Sequence, residues 1–202
     1  MLKIPERIGS AKVVWQGPYP NKIVREQLFS CSPDGFYLWG LPKPSVLLFP
    51  VTANREVILT KQWRPGLICE RREDEWVYEF PGGHAKPGQT DAGAMADEFM
   101  EEAGYVFHPD NVAPLGNFWV DPPSNSATVN AFLLFDCKKV GEPSPEKGEV
   151  IERVVMPLAD WFREAFTGNP IHRDAKTIAA TGLALPKLVE RGLIQFHIPE
   201  GR

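Results

Sequence analysis

Residues 81–104 constrain this chain more than any other segment. They read PGGHAKPGQT, then DAGAMADEFMEEA, then a glycine. A Pro/Gly run of that density suits neither a helix nor a strand, so residues 81–90 are expected as a loop. Residues 91–103 carry a helical pattern. Ala92, Ala96, Phe99 and Ala103 recur at i, i+4, i+7 and i+11, which is one apolar face. Asp91 is the expected N-cap. Gly104 stands where a left-handed residue ends a helix.

The same helix carries Asp97, Glu98, Glu101 and Glu102. With Glu98 at 0°, Glu102 lies about 40° to one side, and Glu101 and Asp97 lie about 60° and about 100° to the other. The four acids share one side, with the alanines opposite. Glu98 and Glu102 are about 6 Å apart along the axis, close enough for one hard cation. Like charges at this spacing repel and are mildly destabilising without a cation. Charge pattern alone far more often describes a solvated face than a metal site. The glycines beside the helix tip the reading, because a backbone without Cβ can approach a ligand closely.

Around this centre the chain reads as strands, helix, strands, helices. Strands are expected over 11–15, 22–30, 45–51, 56–63, 75–80, 112–120, 127–136 and 150–157. The runs 45–51 and 56–63 form a hairpin about Asn54 and Arg55. Loops are expected over 67–74, 121–126 and 141–149. Residues 158–166 and 175–190 read as helices, joined by TGNPIHRD. That order implies a mixed α/β (α+β) core with helices packed on sheets, not a regular βαβ alternation.

Composition narrows the function. A net charge of −4 lacks the basic footprint of a nucleic-acid backbone binder, while free nucleotides stay open as ligands. Cys31, Cys69 and Cys137 are widely spaced, with no CxxC and no Cys/His cluster, which argues against structural zinc and against a disulfide framework. Buried, reduced thiols in a cytoplasmic protein are the expectation. The first residues lack the apolar run of a signal peptide, and no stretch has the length of a membrane span. His84 is expected as a solvated loop residue and His108, His172 and His197 as structural. Trp63, Trp76 and Trp119 are expected in packing, and residues 132–135 in the core.

With these residues in view, the sequence resembles the Nudix family, whose box is written GX5EX7REUXEEXGU with U bulky and apolar. Anchored on Gly83, the box runs through Gln89, Asp97, Glu98, Phe99, Glu101, Glu102, Gly104 and Tyr105 with its spacing kept. Gln89 stands in place of the box's first Glu, and Asp97 in place of its Arg. EFPGG (79–83), KQWRPG (61–66) and GNPIHRDAKTIAA (168–180) resemble segments of the ADP-ribose and nucleotide-sugar pyrophosphatase branch. The resemblance covers roughly residues 45–190.

The resemblance implies a Nudix fold of mixed sheets sandwiched with helices over 45–202. It also implies an N-terminal strand extension over 1–44, serving as the arm of a homodimer. It implies metal ligands at Glu98 and Glu102, a carbonyl ligand at Gly82, and Glu101 as third ligand or orienting group. Gln62, Arg64, Glu79, Gly83 and Asp121 fall on the substrate side. A late Glu takes the proton of the attacking water: Glu149 or Glu152, with Glu149 preferred because it precedes the strand. The implied cofactor is Mg²⁺, with Mn²⁺ as the variant. The implied substrate is a small nucleotide, a nucleoside diphosphate linked to another group, and neither nucleic acid nor membrane is a partner. Asp97 puts a negative charge where the box has a positive one. Either another cation replaces it, from Lys61, Arg64 or Arg71, or the metal site is altered. The alternative reading is therefore a catalytically impaired Nudix-fold nucleotide-binding or regulatory protein.

Overall fold

The computed structural model describes residues 6–16, 23–29, 32–40, 44–64, 76–86, 88–122, 127–146, 149–167 and 174–195. The expected 67–74 loop lies outside them, as do Cys31, Cys69, Arg71, His172, His197, most of the 121–126 connection and all of residues 168–173. The chain divides into two compact units: Met1–Ser45 with Asn117–Val129, and Val46–Gly116 with Asn130–Arg202.

The first unit contains an antiparallel sheet of β1 (Arg7–Gln16), β2 (Ile23–Phe29) and β3 (Ser32–Gly40), in that order. The third strand is not among those expected, because Pro33, Asp34 and Gly35 read as turn residues. Ile8, Val13, Val14 and Trp15 on β1 are 42–50% exposed.

The second unit is built on a sheet ordered β11-β5-β4-β10-β8, with β6 on β5, β7 on β4 and β9 on β10. These are β4 (Ser45–Thr52), β5 (Glu56–Trp63), β6 (Trp76–Glu79), β7 (Gly82–His84), β8 (Tyr105–Val106), β9 (Val112–Trp119), β10 (Thr128–Lys139) and β11 (Ile151–Pro157). Strand β4 is an unbroken apolar run because it is buried on both faces. Val46 and Leu48 join Met95, Phe99 and Ala103 of α1 (Asp91–Ala103) in one cluster. Phe49 instead stacks on Phe80 with ring centroids 4.4 Å apart, and Phe80 meets Trp161 of α2 (Leu158–Thr167) at 5.5 Å. Trp161 donates its indole N–H to Thr181 of α3 (Ala175–Glu190) at 3.1 Å.

Four details depart from expectation. Residues 82–84 of the glycine loop form β7, which pairs with β4. Leu48 N–H donates to the Pro81 carbonyl at 2.9 Å, and a Cβ on Gly82 would overlap the Val46 carbonyl. Glycine makes this strand feasible where a side chain would block it. The N-cap of α1 is Thr90, which accepts the Gly93 N–H at 3.2 Å, so Asp91 is the first helical residue. Trp119 is 63% exposed, so it is not packed in the core.

The fourth departure is the buried face of α1. It consists of Ala94, Met95, Phe99, Glu102 and Ala103, while Ala92 and Ala96 are exposed on an apolar groove of about 400 Å³. The buried arc is therefore rotated by about 70° toward the acids. Met95 and Phe99 have far more apolar area to remove from water than two alanine methyls, so they set the rotation. Glu102 goes inside as a consequence. The other end of the helix behaves as expected. Gly104 is left-handed, with φ 71°, and a Cβ there would crowd the Gly141 carbonyl. Arg153 of β11 donates to the Ala103 carbonyl at 2.8 Å and caps the negative end of the helix.

A candidate active site on the first helix

The site grows from the contact between β7 and α1. Glu102 is 3% exposed, and each of its oxygens has a donor. Oε2 accepts the Gly82 N–H at 2.9 Å, and Oε1 accepts the Gln62 side-chain N–H at 3.0 Å. Gln62 is itself buried, and its amide also donates to Thr60 at 3.1 Å. Gln62 is thus held against Glu102. Glu98, one turn earlier, lies over Gly83, where any Cβ would overlap its carboxylate. The two glycines are needed for different reasons. Gly82 makes room for the Val46 backbone, and Gly83 makes room for Glu98.

Two carboxylates crowded this way hold their protons. Burial pushes Glu98 up to about 7, helped by the charges of Glu101, Glu149 and Glu146. Burial pushes Glu102 up to about 8, although the Gly82 and Gln62 donors favour its charged form. The donors are arranged for a carboxylate, but burial and the neighbouring acids outweigh them, and outweigh Lys86 at Glu98. That mismatch fits a hard divalent cation, for which one or two carboxylates plus waters and substrate oxygens suffice. Among the described residues, no three His, Cys, Asp or Glu side chains converge as a ready-made cage. Glu101 turns instead to Lys86, whose Nζ lies 3.7 Å from its Oε1.

The late loop reaches the same face. Ser144 N–H donates to the Glu101 carbonyl at 2.7 Å and ties the 141–146 segment to α1. Glu149 is fixed by the Glu146 N–H at 3.0 Å, and its charge acts on both Glu98 and Glu102. Glu152 sits on β11 opposite Lys61, 3.7 Å from its Nζ, with its side chain 66% exposed. Glu146, Lys86 and Lys176 are not among the residues the sequence points to. Glu146 and Lys86 lie in loop stretches with no pattern to single them out, whereas Lys176 falls within the GNPIHRDAKTIAA segment, which assigned it no role of its own.

A second charged group lies at the ends of β5 and β6. Arg64 grips Glu79 through two hydrogen bonds, of 2.8 and 2.5 Å. Lys176 approaches Glu79 at 3.6 Å and Asp174 at 3.8 Å. Burial opposes the ionised form of Glu79, but the Arg64 hydrogen bonds and the two cations outweigh it and lower its pKa. Thr177 joins this group to the core. Its hydroxyl donates to Asp174 at 2.7 Å and accepts the Phe80 N–H at 3.1 Å. Asp121 belongs to the first unit.

Box spacing, glycine-backed carboxylates and sheet-on-helix architecture together define a phosphoric-anhydride hydrolase, and the chain belongs to the Nudix family, whose NUDIX domain matches residues 41–177. It is a Nudix pyrophosphohydrolase, hydrolysing the pyrophosphate bond of a nucleotide compound. Among solved structures it is similar to the crystal structure of an ADP compounds hydrolase, with a TM-score of 0.73 and 18% identity, over 96% of this chain and 99% of that one. At that identity the likeness concerns the fold. No curated protein matches the chain. Among the described residues, no helix is long and apolar enough to cross a membrane.

Proposed function

We propose that this chain cleaves a nucleoside diphosphate linked to a second group, of the ADP-ribose or nucleotide-sugar type, in a Mg²⁺-dependent reaction. One observation carries this reading: Glu102 is buried, yet both its oxygens face N–H donors beside a second half-buried carboxylate. A carboxylate pair built that way suits a hard divalent cation. Glu98 and Glu102 would hold Mg²⁺ or Mn²⁺, which when bound polarises phosphoryl oxygens and neutralises the leaving phosphate. The ADP compounds hydrolase that shares the fold favours an adenine nucleotide among the candidates.

In this reading water adds to one phosphorus, the P–O–P bridge breaks, and two phosphomonoesters leave. Glu149 takes the proton of the water, and Glu152, engaged with Lys61, is the second candidate. Gln62 and the Gly82 N–H orient Glu102. Arg64 meets the anionic diphosphate, with its direction set by Glu79. Residues 1–44 form the dimer arm, a role supported by the exposed apolar side chains of β1.

The test is product release from ADP-ribose, a UDP-sugar, a GDP-sugar and a dinucleotide, each with Mg²⁺, with Mn²⁺ and with EDTA. Hydrolysis of at least one compound that EDTA abolishes is expected. No metal-dependent turnover of any compound would overturn the proposal. Sedimentation of the full chain reads the dimer.

A further inference from the structure

The chain leaves the Nudix box at positions 89 and 97, and in the folded protein these two side chains touch. Gln89 Nε2 donates to Asp97 Oδ2 at 2.8 Å. The box writes an acid at the first position and an arginine at the second, so its donor lies on the helix and its acceptor in the loop. Here the donor lies in the loop and the acceptor on the helix. A hydrogen bond between loop and helix therefore spans the two departing positions.

The exchange alone leaves a charge deficit. An acid and an arginine sum to zero, whereas glutamine and aspartate sum to one negative charge. Lys86 supplies the missing positive charge. The Gln89 side-chain Oε1 accepts the Lys86 backbone N–H at 2.9 Å, and the Gln89 backbone N–H donates to the Lys86 carbonyl at 2.9 Å. The closed turn sets Lys86 Nζ at 3.7 Å from Glu101 and 3.8 Å from Glu146. The charges of Asp97 and Glu98 also act on it. Of the cations expected from the sequence, Lys61 and Arg64 are engaged with Glu152 and Glu79, and Arg71 lies outside the described residues.

We propose that Gln89, Asp97 and Lys86 act as one unit in place of the box's acid–arginine pair, with the Gln89–Asp97 hydrogen bond seating the loop on the helix and Lys86 orienting Glu101 beside Glu98. Lys86 is a positioning residue in this scheme, which rests on the hydrolytic reading above. Exposed ion pairs of this length contribute little to stability, so the role of Lys86 shows in turnover and not in folding.

Two measurements test the unit. The first is steady-state hydrolysis of whichever compound of the panel turns over fastest. Lys86→Met is expected to lower kcat by about tenfold or more with KM within about twofold, and Lys86→Arg to recover kcat to within about threefold. Wild-type kcat in Lys86→Met overturns the proposal, and so does a loss that Lys86→Arg fails to recover. The second is thermal unfolding of the metal-free protein in EDTA. Gln89→Glu sets two carboxylates against each other and is expected to lower Tm, and adding Asp97→Arg to it is expected to recover the loss. A double variant whose change in Tm is the sum of the two single changes overturns the pairing. If the wild type hydrolyses nothing in the panel, the hydrolytic reading has failed and the role of Lys86 falls with it. The unfolding cycle then still decides the Gln89–Asp97 link.

Discussion

Glu102 accepts the backbone N–H of Gly82 at 2.9 Å, so a helix carboxylate and the first glycine of the Pro-Gly-Gly segment hold each other in place. Replacing that carboxylate separates its charge from its shape. Glu102→Gln is expected to reduce kcat by about a hundredfold or more, the scale expected when an interaction specific to the transition state is lost. The fold should survive, because the amide has nearly the same volume, although its NH2 faces one of the two former donors at a cost of about 1–3 kcal/mol. Circular dichroism and steady-state kinetics check this, and full activity in the variant would refute the assignment of Glu102.

The raised pKa values of Glu98 and Glu102 give a pH dependence whose sign can be worked out. Their folded values are about 7 and about 8, against an ordinary 4.5. The folded protein binds these protons more tightly than the unfolded chain, so both groups favour folding most at low pH. Their contribution is lost progressively between about pH 4.5 and about pH 8. In EDTA, Tm is expected to fall more steeply over that window for the wild type than for Glu102→Gln. Excess Mg²⁺ is expected to flatten the wild-type curve. Parallel curves for the two proteins would show that Glu102 is not buried in the way described.

The paired glycines predict a contrast. A Cβ on Gly82 meets the Val46 backbone, which cannot step aside, whereas a Cβ on Gly83 meets only the Glu98 carboxylate. Gly82→Ala is therefore expected to cost about 1–3 kcal/mol of stability. Gly83→Ala should leave Tm close to wild type while lowering activity by displacing Glu98. Urea unfolding and kinetics on both variants separate the two effects, and the reverse pattern would contradict the geometry.

Thr177 offers a test away from the carboxylates. Its hydroxyl is fully buried and serves the Phe80 N–H and Asp174 together. Thr177→Val keeps the shape and leaves the Phe80 N–H without its partner, so a loss of about 1–3 kcal/mol is expected. The measurement is chemical denaturation. A loss below about 0.5 kcal/mol, the range of ordinary surface substitutions, would mean that this link carries little.

Several elements are legible in the amino-acid order alone. The 45–51 and 56–63 hairpin, the 91–103 helix, its closing Gly104 and the last two helices follow from local patterning. The mechanism is short-range: β4 is apolar throughout, Asn54 and Arg55 turn the chain, and only a left-handed residue ends the helix cheaply. Local patterning also misleads, at β3 where turn residues sit inside a strand and at two places near the site. Counting alanines sets the buried face of the helix too far from the acids, and glycine density hides β7.

By itself, then, the sequence determined the box spacing, the helix that carries Glu98 and Glu102, and the presence of a glycine at each of positions 82, 83 and 104. Those are properties of near neighbours in the chain. Only the tertiary structure decided that Glu102 is inside, that Gln62 serves it from 40 residues away, and that Glu101 faces a lysine. It also brought the two departures from the box, Gln89 and Asp97, into contact with each other. The physical reason is that burial and pairing depend on what the sheet brings opposite the helix. A substitution that reads as a lost arginine in one dimension becomes a hydrogen bond between loop and helix, with its charge moved to Lys86, in three.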